Sequence, residues 1–413
     1  MGDTTNQPLP LQSIKVIEFT HMVMGPAAGG ILADLGAEVI KVEPYQGDNT
    51  RRLKGSGAGY FAMYNRNKKS LALDLKSDEG RALALQLIDG ADVVIENFRH
   101  GAMDRLGFGY EALKERNPGI IYCSLKGFLS GPYENRTALD EVTQMMGGLA
   151  YMTGLPDRPL RAGTSVVDIT GGMFGVIGIL AALQQRQHTG EGQRVTSSLF
   201  ETTAFLVGQH MAQQAVTGEE PPPMSVRRSA WSIYDIFHSA EGERVFVGVV
   251  SDTLWRAFCE EFGLDSLAAD ESLATNAGRV GARETLIPQI EALFASLSKD
   301  DMMQRLDRAG VPFAPINKPA DLFNDPHLNH GGGLLDLELP EGGSARLPAL
   351  PIELGHGSES RRPGLRHDLP TAGQHSAEIA RAAGLTDEAI HDLIERGILR
   401  DEAGVQQQET ANA

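Results

Sequence analysis

The sequence predicts an α/β protein, with a large domain built on a parallel sheet covered by helices on both faces and a smaller α+β domain beside it. Three observations carry this expectation. Strand and helix signals alternate through the first third of the chain. The 413 residues exceed what one hydrophobic core usually supports. The alternation then stops at TGEEPPPMS (217–225), a stretch rich in proline and glutamate with the composition of a linker.

The elements follow in order. KVIEF (15–19) is a short apolar strand, PAAGGILADLG (26–36) an Ala-rich helix and EVIKVE (38–43) a second strand. SLALDL (70–75) is strand-like, EGRALALQLIDGA (79–91) has helical periodicity, and DVVIENF (92–98) is again a strand. A helix then leads into IIYCSLKGF (120–128). GGMFGVIGILAAL (171–183) is the longest apolar run; its thirteen residues are too few to span a bilayer and predict a buried core helix. QRVTSSLFETTAFL (193–206) ends the alternating part. Beyond the linker, SIYDIF and ERVFVGVV form a strand pair, followed by helical stretches to about residue 310. GVPFAPINKPADLFNDPHL (310–328) is loop-like and HGGG (330–333) a hinge signal, so 225–330 reads as the small domain. GLTDEAIHDLIERG (384–397) is an amphipathic helix expected to return to the first domain, and VQQQETANA an unstructured tail.

Composition narrows the function. A net charge of −17 argues against a general nucleic-acid binder and against an anionic membrane surface. Two distant cysteines, Cys123 and Cys259, suggest a reducing compartment without a disulfide framework. MGDTTNQPLPLQ lacks the basic and apolar regions of a secretory signal, so a cytoplasmic protein is expected. The glycines of FTHMVMGPAAGGILADLGAEVIKVE do not fit the dinucleotide fingerprint, although Gly25-Pro26 would open a helix whose N–H groups could receive an anion. The eleven histidines form no metal motif, and no GxSxG elbow occurs.

Two features stay open on residue chemistry alone. GTSVVDITGG (163–172) places Asp168 between an apolar pair and a glycine doublet. A carboxylate there either caps a helix starting near Thr170 or is chemically employed. Basic residues cluster in RRLKG (51–55) and NRNKKS (65–70), with Lys76, Arg99, Arg105 and Lys126 more isolated. Surface solvation and recognition of a phosphorylated ligand beyond the strand ends both account for them.

FTHMVMGPAAGGILADLGAEVIKVE, GYFAMYNRNKKSLALDLKSDEG, ADVVIENFRHGAMDRLGFGYEAL and the Asp168 helix ending in HTGEGQRV, in that order, resemble the class III (CaiB/BaiF) coenzyme A transferases. The similarity covers most of 14–206 and resumes at RAGVPFAPINKPADLFNDPHL and GQHSAEI (373–379). It implies a large Rossmann-like domain (1–216), a linker with a small domain (217–335), and a linker with a C-terminal part returning to the large domain (336–413). It also implies an interlocked homodimer. The family's nucleophile corresponds to Asp168. The resemblance places coenzyme A contacts at Val23, Met24, Leu73, Lys76, Asn97, Phe98, Arg99 and Arg105, with His21 and Arg136 in similar neighbourhoods. Tyr60 and Asp140 match side chains near the reacting acyl group. Val23 and Pro44 stand where the formyl-transferring members of the family have glutamine and arginine, and 206–260 lacks the glycine-rich active-site loop of those members, so specificity for formyl and oxalate is not implied.

The implied activity is transfer of coenzyme A from an acyl-CoA donor to a carboxylic acid. It would run through an aspartyl anhydride and an aspartyl-CoA thioester, with coenzyme A as substrate and no tightly bound cofactor or metal. Gly171 and Gly172 would let substrate approach the backbone, and the second domain would help exclude water. Arg227 and Arg228, beside aromatics at the start of that domain, suit a second carboxylate, hence a dicarboxylic acceptor; solvated linker arginines are the alternative. An α-methylacyl-CoA racemase needs an acid–base pair, but ALDEVTQMMGG has no histidine where that enzyme carries one. A non-catalytic coenzyme A-binding regulator would be expected to lack the aspartate.

Overall fold

The computed structural model describes residues 9–226, 229–355 and 360–402. One compact unit takes the chain up to Ser225 and again from Pro326; the other is Val226–Asp325. The second unit is therefore shorter at both ends than the expected 217–335 segment. Part of the linker belongs to the first unit because Met224 N–H donates to Met152 O (2.9 Å) and Ser225 Oγ to Gly154 O (2.6 Å).

In the first unit six strands run parallel in the order β3-β2-β1-β4-β5-β6. They are β1 (Lys15–Phe19), β2 (Glu38–Glu43), β3 (Lys68–Leu73), β4 (Val93–Glu96), β5 (Ile121–Lys126) and β6 (Arg194–Ser198). Leu399–Arg400 adds a short antiparallel strand outside β3. This is a doubly wound order, in which connections leave the centre in both directions. KVIEF shows why both faces are covered. Val16 and Ile17 point to opposite sides, and each joins a different apolar cluster.

The helices before β6 are α1 (Met24–Asp34), α2 (Tyr60–Tyr64), α3 (Asp78–Asp89), α4 (Ala102–Leu106), α5 (Tyr110–Arg116), α6 (Asp140–Met146), α7 (Leu149–Thr153) and α8 (Val166–Thr189). Ser77 caps α3, accepting from Gly80 N–H at 3.0 Å, with Asp78 and Glu79 in the positive first turn. Leu83 and Leu87 of α3 and Leu113 of α5 cover the face of Ile17, whereas Leu32 of α1 and Val176 and Ile179 of α8 cover the face of Val16.

By length and composition α8 is apolar enough to cross a membrane. Here its glycines let it press into the unit. A Cβ at Gly172 would lie 2.7 Å from Met24 O, one at Gly175 2.7 Å from Leu125 Cδ2, and one at Gly178 2.5 Å from Val195 Cγ1. Gly171 and Gly172 thus serve contact with α1 rather than the expected approach of substrate to the backbone.

The second unit is a small antiparallel sheet, ordered β7 (Ile233–His238), β8 (Arg244–Val249), β9 (Phe313–Pro315). Helices Asp252–Phe262, Arg283–Phe294 and Lys299–Arg308 supply Phe258, Phe294 and Leu306 to its core. β9 lies inside the stretch expected as loop, where pairing with β8 overrides the local proline-rich signal. Leu334–Glu338 and Ser344–Pro348 form a hairpin just after the expected hinge.

Candidate active site

β1 and β4 are neighbours at the centre of the sheet, where the connections diverge; ligands of such sheets sit beyond the carboxyl ends of the strands at this point. The loops leaving the two strands are clasped together. Asn97 Oδ1 accepts from His21 N–H at 3.0 Å, and Asn97 Nδ2 donates to His21 O at 2.8 Å. Met22 takes a left-handed conformation, φ 64°, and its N–H donates to Thr50 Oγ1 at 3.1 Å. Asp48 Oδ1 holds Thr50, and Lys41 reaches Asp48 (3.0 Å) and Thr20 O (2.7 Å). The turn after β1 is therefore fixed from two sides. His21 lies on it, exposed, with its ring 5.7 Å from that of Phe98; burial holds its pKa below the ordinary value.

α8 packs on α1, so its first turn lies beside the start of α1. Asp168 is the third residue of α8 rather than its N-cap, because the helix begins at Val166. The cap comes from elsewhere. Asp140 Oδ2 accepts from Val167 N–H (2.9 Å) and Asp168 N–H (3.1 Å), while Oδ1 accepts from Gln144 Nε2 (2.6 Å) and Arg161 Nη2 (3.3 Å). These four hydrogen bonds satisfy the buried Asp140 carboxylate within the chain.

The Asp168 carboxylate, half-buried, has no hydrogen bond or ion pair among the described residues. Burial first, and the neighbouring Asp140 charge second, push its pKa up to about 7; Arg161 acts in the opposite direction. Tyr64 of α2 is raised to about 12, chiefly by burial, then by the Asp168 charge and by Tyr60. The site thus brings together Asp168, Asp140 and Arg161, with Tyr64 within reach of the Asp168 charge and Tyr60 one helical turn before Tyr64. An oxygen nucleophile that is substantially ionised near neutrality, without an internal partner, is equipped to attack an electrophilic carbonyl.

The other expected contacts divide. Val23, Met24 and Leu73 are 1%, 4% and 1% exposed, main chain included, so they are packed into the interior rather than open to a ligand. Asn97 spends its amide on His21. Lys76, Arg99, Arg105 and Arg136 are exposed, and none pairs with a carboxylate among the described residues; Arg136 lies over Tyr133 at 5.7 Å. Phe98 is half-buried, its ring 5.7 Å from that of His21. Arg227 and Arg228 lie outside the described residues.

The basic clusters prove largely structural. Arg51 pairs with Glu43 (2.6 Å), Arg66 with Asp34 (2.7 Å), Lys68 with Glu18 (2.8 Å) and Lys69 with Glu38 (2.9 Å). Gln144, Arg161 and Tyr64 escaped the sequence reading because no spacing rule ties them to Asp168. Tyr64 had a weak signal, as an aromatic one helical turn after Tyr60.

Comparison with known proteins gives one consistent result. The family model described as CoA-transferase family III matches residues 11–376. An acyl-CoA transferase of Fusarium pseudograminearum is 36% identical over 94% of this chain and 88% of its own length. A succinate–glutarate CoA-transferase of Agrobacterium fabrum is 34% identical over 92% and 97%. The crystal structure of a CAIB/BAIF family protein from Brucella suis is similar with a TM-score of 0.79 and 35% identity, covering 91% of this chain and all of that one.

Proposed function

Since the chain belongs to CoA-transferase family III and is a CoA-transferase, we propose that Asp168 is its nucleophile. The observation that carries this reading is the contrast between two adjacent carboxylates: Asp140 is fully hydrogen-bonded, whereas the Asp168 carboxylate has no partner among the described residues. The Asp168 oxygen attacks the thioester carbonyl of the donor, giving a mixed anhydride and releasing coenzyme A thiolate. The thiolate attacks the aspartyl carbonyl, forming an aspartyl-CoA thioester and freeing the donor acid. An acceptor carboxylate attacks that thioester and expels the thiolate, which then takes the acceptor's acyl group and regenerates Asp168. Each step exchanges one activated acyl bond for another, so ATP has no part in the balance. The positive end of α8 stabilises the carboxylate when it leaves.

Exposed Lys76, Arg99, Arg105 and Arg136 are suited to the phosphates of coenzyme A, and the His21 and Phe98 rings, 5.7 Å apart, to its adenine or pantetheine. Tyr60, one helical turn before Tyr64, is assigned to the acyl side by the family resemblance. A dicarboxylic acceptor is supported by the name of the Agrobacterium relative and by Arg227 and Arg228 in the sequence. An interlocked homodimer is supported by the family and by apolar side chains left open on Leu199–Leu206 and Gly208–Thr217, where Phe205 is 72% and Met211 63% exposed. Two free, buried cysteines support a reducing, cytoplasmic setting.

The test is to incubate the enzyme with succinyl-CoA, quench it and search the peptide carrying Asp168 for a coenzyme A-mass adduct. Wild type should carry it and Asp168→Ala should lose both adduct and exchange. Exchange retained in Asp168→Ala overturns the assignment.

A further inference from the structure

Asp140 and Arg161 are placed to do more than stabilise the loop before α8. The Asp140 carboxylate bridges from α6 to the first turn of α8, gripping the N–H of Asp168 itself. Arg161 binds the far side of that carboxylate at 3.3 Å, donates to Ala162 O (3.2 Å) and Thr164 O (3.0 Å), and faces Glu141 at 3.7 Å. Gln144 ties the same two parts together, donating to Asp140 at 2.6 Å and accepting from Ala162 N–H at 2.8 Å. The result is one carboxylate and one guanidinium, of opposite charge, fixed beside a third group that has no partner among the described residues.

We infer that Asp140 and Arg161 are a positioning pair: Asp140 docks the first turn of α8, and the two charges jointly set the field in which the Asp168 carboxylate stands. Asp140 does not act by touching substrate, since its oxygens are already occupied and it is 7% exposed. The charged groups acting on Asp168 are Asp140 and Arg161, and the phenol of Tyr64 faces it from α2 with Tyr60 nearby. α1, which packs on the same turn, carries a charge only at its far end, in Asp34 paired with Arg66. The catalytic consequence rests on Asp168 being the reacting group, as proposed above.

The two members of the pair have opposite charge, so their removal has opposite effects, which a purely structural role would not produce. Arg161→Gln strips a cation and raises the Asp168 midpoint; Asp140→Asn strips an anion and lowers it, each by about one pH unit. Carbon-13 titration of the aspartate carboxyls, with the Asp168 signal assigned by its loss in Asp168→Asn, reads the shifts directly. The acid limb of kcat/KM reads them again. Well below the midpoint Arg161→Gln loses about tenfold in rate, and near pH 9 it recovers. Arg161→Lys keeps the charge and restores the wild-type midpoint. Shifts of the same sign, no shift, or a rate loss equal at every pH overturns the proposal. A wild-type enzyme without an Asp168 adduct would remove the nucleophile and leave the opposite titration shifts standing, so the two failures are distinguishable.

Discussion

The β1–β3 side of the sheet neutralises its charges inside the chain, whereas Lys76, Arg99 and Arg105 in and beyond the loops after β3 and β4, and Asp168 at the head of α8, stay open. On the first side Glu18 meets Lys68, Asp48 meets Lys41 and Glu43 meets Arg51, with every one of these side chains at most 11% exposed. On the second side Lys76, Arg99, Arg105 and Asp168 have no oppositely charged partner among the described residues. The difference teaches that a charge marks the ligand site only where the fold has not already answered it. Buried pairs fix geometry, here the turn carrying His21; unanswered charges are what a phosphate or a carbonyl can use.

The strongest way to break this comparison is Lys68→Met. It leaves Glu18, which is wholly buried, with Lys41 at 3.6 Å as its remaining cation. Truncating one member of such a pair is expected to destabilise the fold by about 3–5 kcal/mol in denaturant unfolding. A stable variant with weakened coenzyme A binding would move Lys68 to the ligand side.

Asp168 tests the opposite case, a charge kept at the expense of stability. Because its pKa rises from 3.8 to about 7, the folded chain retains a proton across that window after the unfolded chain has released it. Wild-type stability therefore falls as pH rises through the window and stays reduced above it. Asp168→Asn should match wild type near pH 4 and exceed it by about 2 kcal/mol at pH 8, less than the full shift would give because the side chain keeps some solvent contact. Thermal unfolding at the two pH values decides it. A constant difference would mean that Asp168 is ordinarily ionised in the fold.

Arg99→Ala and Arg105→Ala sharpen the comparison from the ligand side. Each should raise the KM for an acyl-CoA about tenfold, less so at high salt, by losing a charge-assisted contact to phosphate. Stability should stay within about 0.5 kcal/mol, since neither side chain has a partner to abandon among the described residues.

Much of this architecture was legible in the chain. The alternation of KVIEF, PAAGGILADLG and EVIKVE announced a parallel sheet, and the apolar run after Asp168 announced a core helix, although its glycine doublet suggested room for substrate and not helix packing. What the chain did not disclose was which charges meet. Lys68 and Glu18 are 50 residues apart and become neighbours only through the order β3-β2-β1, which no local pattern states. Asp140 caps a helix 28 residues downstream, so the Asp168 segment looked like its own cap. Asn97, which the pattern of 92–98 assigns to the strand, lies just beyond β4 with its amide turned to His21, because a loop must be tied before it can bind anything.

The smallest effect belongs to Lys69, and it decides whether pairing or burial is the discriminating property. Lys69 is as thoroughly paired as Lys68, with Glu38 at 2.9 Å and Glu378 at 2.8 Å. Its side chain is 27% exposed, however, and those of its partners 44% and 59%, so water already solvates each charge and salt screens the pair. Lys69→Ala should cost less than about 0.5 kcal/mol, by the same unfolding measurement applied to Lys68→Met. If the two losses were alike, the count of partners would govern and the comparison drawn from burial would fail. If they differ as expected, the buried pairs hold the sheet edge in place while the exposed ones merely decorate it, and a cation there must be judged by its depth before it is assigned to a ligand.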